Sequence, residues 1–257
     1  MRTVRSRSSP RGSAHCTPRR ATGILSAVRE RISPADSSPV TLQVSDGLSV
    51  SGLLVAPPAA RACYVLAHSA GAGMEHASMR AVAAGLANLG VATLRYQFPY
   101  MERGSRRPDP PPLCHATVRA AVAAAGRLTP GLPLVAGGRS FGGRMTSQAQ
   151  ASAPLAGVRG LAFLAFPLHP AGEPSDGRAT HLSDVLVPML FLQGTRDALA
   201  ERALIEAVAA RLGARATLSF IEQADHSFHV PASSGRKDAE VLAEVLRRLA
   251  AWIDTLM

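Results

Sequence analysis

The sequence predicts an α/β fold: a mostly parallel sheet with helices on both faces and antiparallel strands at its N-terminal edge. Short apolar runs alternate with helical stretches of roughly ten or more residues, the signature of strand–helix–strand crossovers. The run "CYVLAH" (63–68) is apolar throughout, as expected of a strand covered on both faces. Near residue 40, "VTLQV" and "LSVSGLLVAP" flank the turn Ser45–Gly47, which reads as a hairpin.

The elements follow in order. After the 63–68 strand comes a glycine loop, then a helix over 78–90 closed by Gly90. "VATLRYQF" (91–98) is the next strand, and "PDPPP" (108–112) breaks the chain before a helix through "HATVRAAVAAAGRL". "LPLVAG" (132–137) is a strand followed by a helix after Ser140, and "VRGLAFLAF" (158–166) and "VPMLFLQG" (187–194) are further strands. A helix over 201–213, a strand over 216–222 and an amphipathic C-terminal helix complete the chain. With 257 residues, 47% of them hydrophobic, one large core is expected. No internal repeat or second folded domain is visible. Residues 36–257 are read as a single domain and 1–35 as a disordered extension.

The net charge of +10 is concentrated in that extension. Residues 1–35 carry eight arginines against Glu30, a net +7, which leaves +3 for the rest. Lys237 is the only lysine, a sign of base-composition bias rather than function. The extension has no apolar core segment, so it is not a secretory signal; its Arg/Ser-rich make-up resembles a transit peptide, but such a composition also cannot fold by itself. Salt-sensitive nucleic-acid binding belongs to this segment if anywhere, and none is expected of the folded body. Arg103, Arg106 and Arg107 read as a solvated loop face, with a reader of acidic substrates as the alternative. No apolar run approaches the about 18 residues of a membrane span. Three separated cysteines, Cys16, Cys63 and Cys114, argue against a disulfide scaffold and for a reducing, cytoplasmic setting. No H-E-x-x-H or carboxylate cluster is present, so neither metal nor cofactor is expected.

The informative stretch is Gly138-Arg139-Ser140-Phe141-Gly142. G-x-S-x-G between a strand and a helix presents a serine on a tight, strained turn, and the flanking glycines remove side chains that would clash. The hydroxyl then lies beside a helix N-terminus, where N–H groups favour developing negative charge. A serine needs a base, and a histidine base needs a group to hold its tautomer. Asp197 follows the 187–194 strand and His226 follows the 216–222 strand, the chain order and strand ends such a triad requires. Asp184 precedes its strand, Asp225 adjoins His226 too closely to hold its ring, and His229 is the alternative base or a pocket residue. His115, His169 and His181 read as surface or loop histidines. The N–H of Phe141 is one expected oxyanion donor. The second comes from the loop His68-Ser69-Ala70-Gly71-Ala72-Gly73, with Ala70 preferred and Ser69 next.

The stretches "AHSAGAGMEHASM", "RYQFPYME", "GGRSFGGRMTS", "FPLHPAGEP", "LQGTRDAL" and "ADHSFHV" together resemble the small bacterial hydrolases of the alpha/beta-hydrolase superfamily related to dienelactone hydrolases. The same domain type occurs in a subunit of the NSL histone-acetyltransferase complex. The resemblance spans roughly residues 63–231 and implies the alpha/beta-hydrolase fold with Ser140, Asp197 and His226 as the triad. Such loops usually read His-Gly-Ala-Gly-Ala-Gly; Ser69 replaces the first glycine here, which bears on the backbone beside the oxyanion hole.

About 20 residues separate Phe166 from Val187, a Pro- and Gly-rich stretch that predicts a minimal lid and an accessible site. His68, Phe98, Tyr100 and His229 are the expected pocket walls, with Pro99 and Phe141. Small acyl esters or thioesters suit such a site, and a small-molecule acyl substrate is the expected partner. Two rivals stand beside this reading. One is a catalytically silent interaction module on the same fold. The other is an NADP-binding oxidoreductase built on Gly71-x-Gly73, although His76 takes the third glycine position and Arg95 and Gln97 stand where an acid is required.

Overall fold

The computed structural model describes Met1 and residues 37–257. The Arg/Ser-rich stretch assigned to an N-terminal extension lies outside the described residues, apart from Met1. From residue 38 onward the chain forms an eight-stranded sheet in the order β1-β2-β4-β3-β5-β6-β7-β8. The strands are β1 (Ser38–Ser45), β2 (Leu48–Val55), β3 (Ala62–Ala67), β4 (Val91–Tyr96), β5 (Leu134–Arg139), β6 (Val158–Leu164), β7 (Met189–Gly194) and β8 (Ala216–Ile221). β1 and β2 pair antiparallel to each other, β2 pairs antiparallel to β4, and every other pair is parallel.

The predicted order of elements is the observed one, with ends shifted by a few residues. The helices are α1 (Ala77–Asn88), α2 (Pro99–Glu102), α3 (Pro111–Leu128), α4 (Phe141–Ser152), α5 (Arg202–Leu212) and α6 (Asp238–Asp254). The four-residue α2 and a 3-10 helix over Gly177–Asp184 were not anticipated, because neither is long enough to show an apolar period. His76, at the third glycine position of the nucleotide-binding pattern, instead caps α1: its Nδ1 accepts from the Ser78 N–H at 3.3 Å.

Alternation along the strands divides the core between the two faces. Cys63, Val65 and Ala67 pack with Val118, Ala121, Met145 and Ile205 from α3, α4 and α5. Tyr64 and Leu66 pack with Met79, Leu86, Val245 and Leu249 from α1 and α6. Burial of each large apolar side chain is worth about 1.5–3 kcal/mol, and β3, β4 and β7 are buried along their whole length. This rigid slab carries the loops after β3, β5, β7 and β8 on one edge. No described helix is long and apolar enough to cross a membrane.

Candidate active site

Ser140 stands between β5 and α4 with φ 50° and ψ −116°, a left-handed φ that few non-glycine residues adopt. Its N–H is anchored on the Leu164 carbonyl at 3.0 Å. The neighbouring glycines answer to a close approach by the end of β3. A Cβ on Gly138 would lie 2.4 Å from the Ala67 carbonyl oxygen, and one on Gly142 would lie 2.5 Å from that of His68. Both contacts are with backbone, so no side-chain rotation relieves them. The turn that exposes the serine therefore also presses the glycine loop against it.

Three side chains from three strand ends meet here. The His226 Nε2 lies 2.8 Å from the Ser140 Oγ, and its Nδ1 lies 2.8 Å from the Asp197 Oδ2. Asp197 is fully buried and His226 is about a quarter exposed at its side chain. With the Asp197 carboxylate accepting the Nδ1–H, Nε2 faces the serine as an acceptor. Asp197 has two further donors: the Leu199 N–H reaches Oδ1 at 2.8 Å and the Gln193 side-chain amide reaches Oδ2 at 2.5 Å. Gln193 is itself buried and accepts the Phe166 N–H at 3.0 Å. Its support of Asp197 is absent from the sequence reading, although a lone polar residue inside the apolar run "MLFLQG" was a signal for it.

The loop holding His226 is fixed by its neighbours rather than by regular structure. Asp225 does not reach the His226 ring; its Oδ1 accepts the N–H groups of Ser227 and His229 at 2.7 and 2.9 Å. The Gln223 N–H donates to the Thr195 hydroxyl at 2.8 Å, tying this loop to the one that carries Asp197.

A cavity of about 370 Å³ opens beside the serine, with Ser140, Phe141 and Ala70 on its wall. Ala70, the residue expected to supply the second N–H donor, is thus on the same cavity wall as Ser140. Ser69 lies one residue back, and its carbonyl accepts from the His68 Nδ1 at 2.9 Å and the Ala72 N–H at 3.3 Å. The left-handed residue in this loop is Gly71, at φ 73°; Ser69 keeps a negative φ, so the serine in place of glycine costs no backbone strain.

The expected pocket walls require correction. His68, Phe98 and Tyr100 are fully buried and form an aromatic layer beneath the site. His68 meets Phe98 at 4.9 Å, Phe98 meets Phe141 at 5.5 Å, and Tyr100 meets Phe141 at 6.3 Å between ring centres. The layer supports Phe141 from below and leaves no face to a ligand. The His68 Nε2 accepts the Phe98 N–H at 3.0 Å, so the ring is neutral, and burial pushes its pKa down to about 4. Burial likewise pushes the Tyr100 phenol up to about 12. His229 is exposed and ion-paired with Asp238 of α6 at 2.9 Å; it braces a loop against a helix, away from the cavity. Of the remaining histidines, His169 is buried rather than on the surface. His181 meets the Ser147 hydroxyl at 2.7 Å and so pins the 3-10 helix to α4.

The walls are instead supplied by residues distant in sequence. Arg144 and Met145 come from α4, Asp109 from the loop before α3, Pro167 and Arg178 from the stretch after β6, and Leu199 from the loop after β7. That stretch lies down against its neighbours, with Asp176 paired to Arg211 of α5 at 2.6 Å. Arg95 and Gln97 hold the glycine loop from beneath: the Arg95 Nη1 donates to the Met74 carbonyl at 3.0 Å, and Gln97 accepts the Met74 N–H at 2.9 Å. Arg95 is buried, so it has no surface to offer a nucleotide phosphate. Among the described residues no group of three or more His, Cys, Asp or Glu side chains is arranged to hold a metal ion.

Residues 60–254 match the alpha/beta hydrolase domain family. Among solved structures, the chain is similar to a dienelactone hydrolase from Anabaena variabilis, with TM-score 0.69 and 22% identity over 85% of this chain and 97% of that one. It is similar to an alpha/beta serine hydrolase without lid from Xanthomonas campestris, with TM-score 0.62 and 21% identity over 84% and 96% of the two chains. It is also similar to Est1E from Butyrivibrio proteoclasticus, with TM-score 0.64 and 16% identity over 83% and 97%. At such identities the likeness is one of fold.

Proposed function

The chain belongs to the alpha/beta hydrolase domain family, and from that premise we propose that it is a serine hydrolase of small acyl esters or thioesters, acting through an acyl-enzyme. The observation that carries the reading is the hydrogen-bonded series Ser140–His226–Asp197, at 2.8 Å for each step, opening on a cavity that also presents Phe141 and Ala70.

In this reading the Ser140 Oγ attacks the acyl carbon as the His226 Nε2 takes its proton. The oxyanion receives the N–H groups of Phe141 and Ala70, aimed from the start of α4 and from the glycine loop. The imidazolium then gives its proton to the departing alcohol or thiol. Water, deprotonated by the same nitrogen, releases the acid and restores the serine. Asp197 stays ionised and holds the Nδ1–H; the Gln193 and Leu199 donors keep its carboxylate in place. The buried aromatic layer fixes Phe141, and hence its N–H, before substrate arrives.

The open cavity and the short stretch after β6 favour small acyl groups over long lipids. A panel of matched esters, thioesters, lactones and amides, run on protein treated with a chelator, tests the class. Turnover of short esters or thioesters with amides inert is expected. Turnover of none of them, by a protein that unfolds cooperatively, would remove the reading.

A further inference from the structure

Two arginines lining the cavity have no ion-pair partner among the described residues. Arg144 lies one turn beyond Ser140 on α4, is half-buried, and has an Nε with no hydrogen-bond partner. Its guanidinium lies over the Phe141 ring, 5.8 Å from the ring centre. Arg178, on the 3-10 helix, is half-buried on the same wall. No ion pair joins either to an acid among the described residues; what sets them apart from other unpaired arginines is their place on the wall of the cavity that holds Ser140. Asp109 is the acid lining the cavity, and it is occupied: the Arg103 Nη2 holds its Oδ1 at 2.5 Å and the Tyr100 N–H its Oδ2 at 2.7 Å.

Two like charges half-removed from water, with no acidic side chain among the described residues paired to either, are unfavourable to the folded chain. Burial, and then the repulsion from Arg178, push the Arg144 pKa below its usual value. Near them, His181 is pushed down to about 4, by burial first and Arg144 second, so it adds no charge at neutral pH. A guanidinium keeps its charge at any working pH, and its planar fork matches a carboxylate. We propose that this cavity binds substrates carrying a carboxylate, held by Arg144 and Arg178 while the ester carbonyl lies at Ser140. The assignment to a substrate, as opposed to a free anion, rests on the serine-hydrolase reading.

Calorimetric titration of the full chain with glutarate, and with its neutral counterpart glutaramide, tests the site without requiring turnover. Glutarate is expected to bind at least about tenfold more tightly, the lower end of what a charge-assisted hydrogen bond supplies. Arg178→Gln and Arg144→Gln should each remove about tenfold of that preference. Arg202→Gln, which takes the same charge from the Glu206 pair on α5, should leave it unchanged. Equal binding of the two probes, or a preference untouched by both cavity variants, overturns the proposal; a shift by Arg202→Gln as large as theirs does so too, since a general field would then be acting. Arg178 is half-buried on a short 3-10 helix outside the sheet and the core, so its variant reports even if Arg144→Gln does not fold. Two ester pairs then locate the anion. 4-Nitrophenyl hemiglutarate against 4-nitrophenyl valerate places it on the acyl side, and 4-acetoxybenzoate against 4-acetoxybenzamide on the alcohol side. A tenfold advantage in kcat/KM in either pair, lost in Arg178→Gln, supports the proposal, and none in both overturns it as a substrate site. Glutarate binding as expected with no fluorophosphonate labelling of Ser140 would instead sink the serine-hydrolase reading and leave an anion site.

Discussion

His68 couples the stability of the glycine loop after β3 to pH. The ring is buried, donates from Nδ1 to the Ser69 carbonyl and accepts the Phe98 N–H at Nε2. A proton on Nε2 would set two donors against each other at a buried position. The folded pKa is accordingly about 4 against an ordinary 6.5. Between these values the unfolded chain binds the proton and the folded chain does not. Stability from this group is therefore complete above about pH 6.5 and is lost progressively as pH falls towards 4. The difference corresponds to roughly 3 kcal/mol at about 1.4 kcal/mol per pKa unit. The perturbation is His68→Gln, whose amide oxygen can still accept from Phe98 but does not titrate. Urea unfolding of both proteins in steps from pH 7 to pH 4.5 isolates the group, because His181 and the carboxylates titrate in both and cancel. The wild type is expected to be the more stable at pH 7 and to lose about 2–3 kcal/mol of that advantage by pH 4.5. Parallel curves would refute the reasoning, since the ring would then be charged or solvated in the folded state.

Three further outcomes are expected. Gln193→Leu removes a donor from Asp197 and strands the Phe166 N–H, so it should cost about 2–4 kcal/mol in chemical unfolding and about tenfold in kcat with KM little changed; wild-type values for both would remove Gln193 from the site. Gly142→Ala places a methyl 2.5 Å from the His68 carbonyl oxygen, and a loss of at least about 2 kcal/mol, or no folded protein, is expected; a melting curve matching wild type would mean the loop gives way freely. Deleting residues 1–35 should leave melting temperature and kcat/KM unchanged, on the grounds of that segment's composition, and a fall of many degrees would show that it packs on the body.

The layers of the fold were legible because strand and helix periods are written in local sequence. β3, β4 and β7 are each six consecutive buried residues, a pattern that a strand covered on both faces gives at that length. The meeting of Ser140, Asp197 and His226 was legible for a related reason: parallel strands deliver the residues after their carboxyl ends to one edge. The cavity was not. Phe98 and Tyr100 follow β4 and were read as walls because they are aromatic and near a strand end, but they turn under the sheet edge into the layer below Phe141. The actual walls, Asp109, Arg178 and Leu199, sit in loops whose convergence is decided by tertiary packing and leaves no periodic trace. Arg144 did leave one, as the residue four beyond Ser140 and so on the same side of α4. Gln193 left another as a polar residue in a buried strand. The 3-10 helix after β6 was hidden by a Pro- and Gly-rich composition that reads as loop.

The central claim is that Ser140, His226 and Asp197 work as one unit on an acyl carbon. Intact-mass and peptide analysis after fluorophosphonate treatment, run beside turnover of the best ester, tests it on one set of proteins. The wild type should gain a single adduct on Ser140. Ser140→Ala should take none, and kcat should fall by about four to six orders of magnitude, with His226→Ala nearly as damaging and the double variant scarcely worse than either alone. Full turnover by Ser140→Ala, or an adduct on another residue with Ser140 unmodified, would contradict the account and reduce the glycines around that serine to a tight turn.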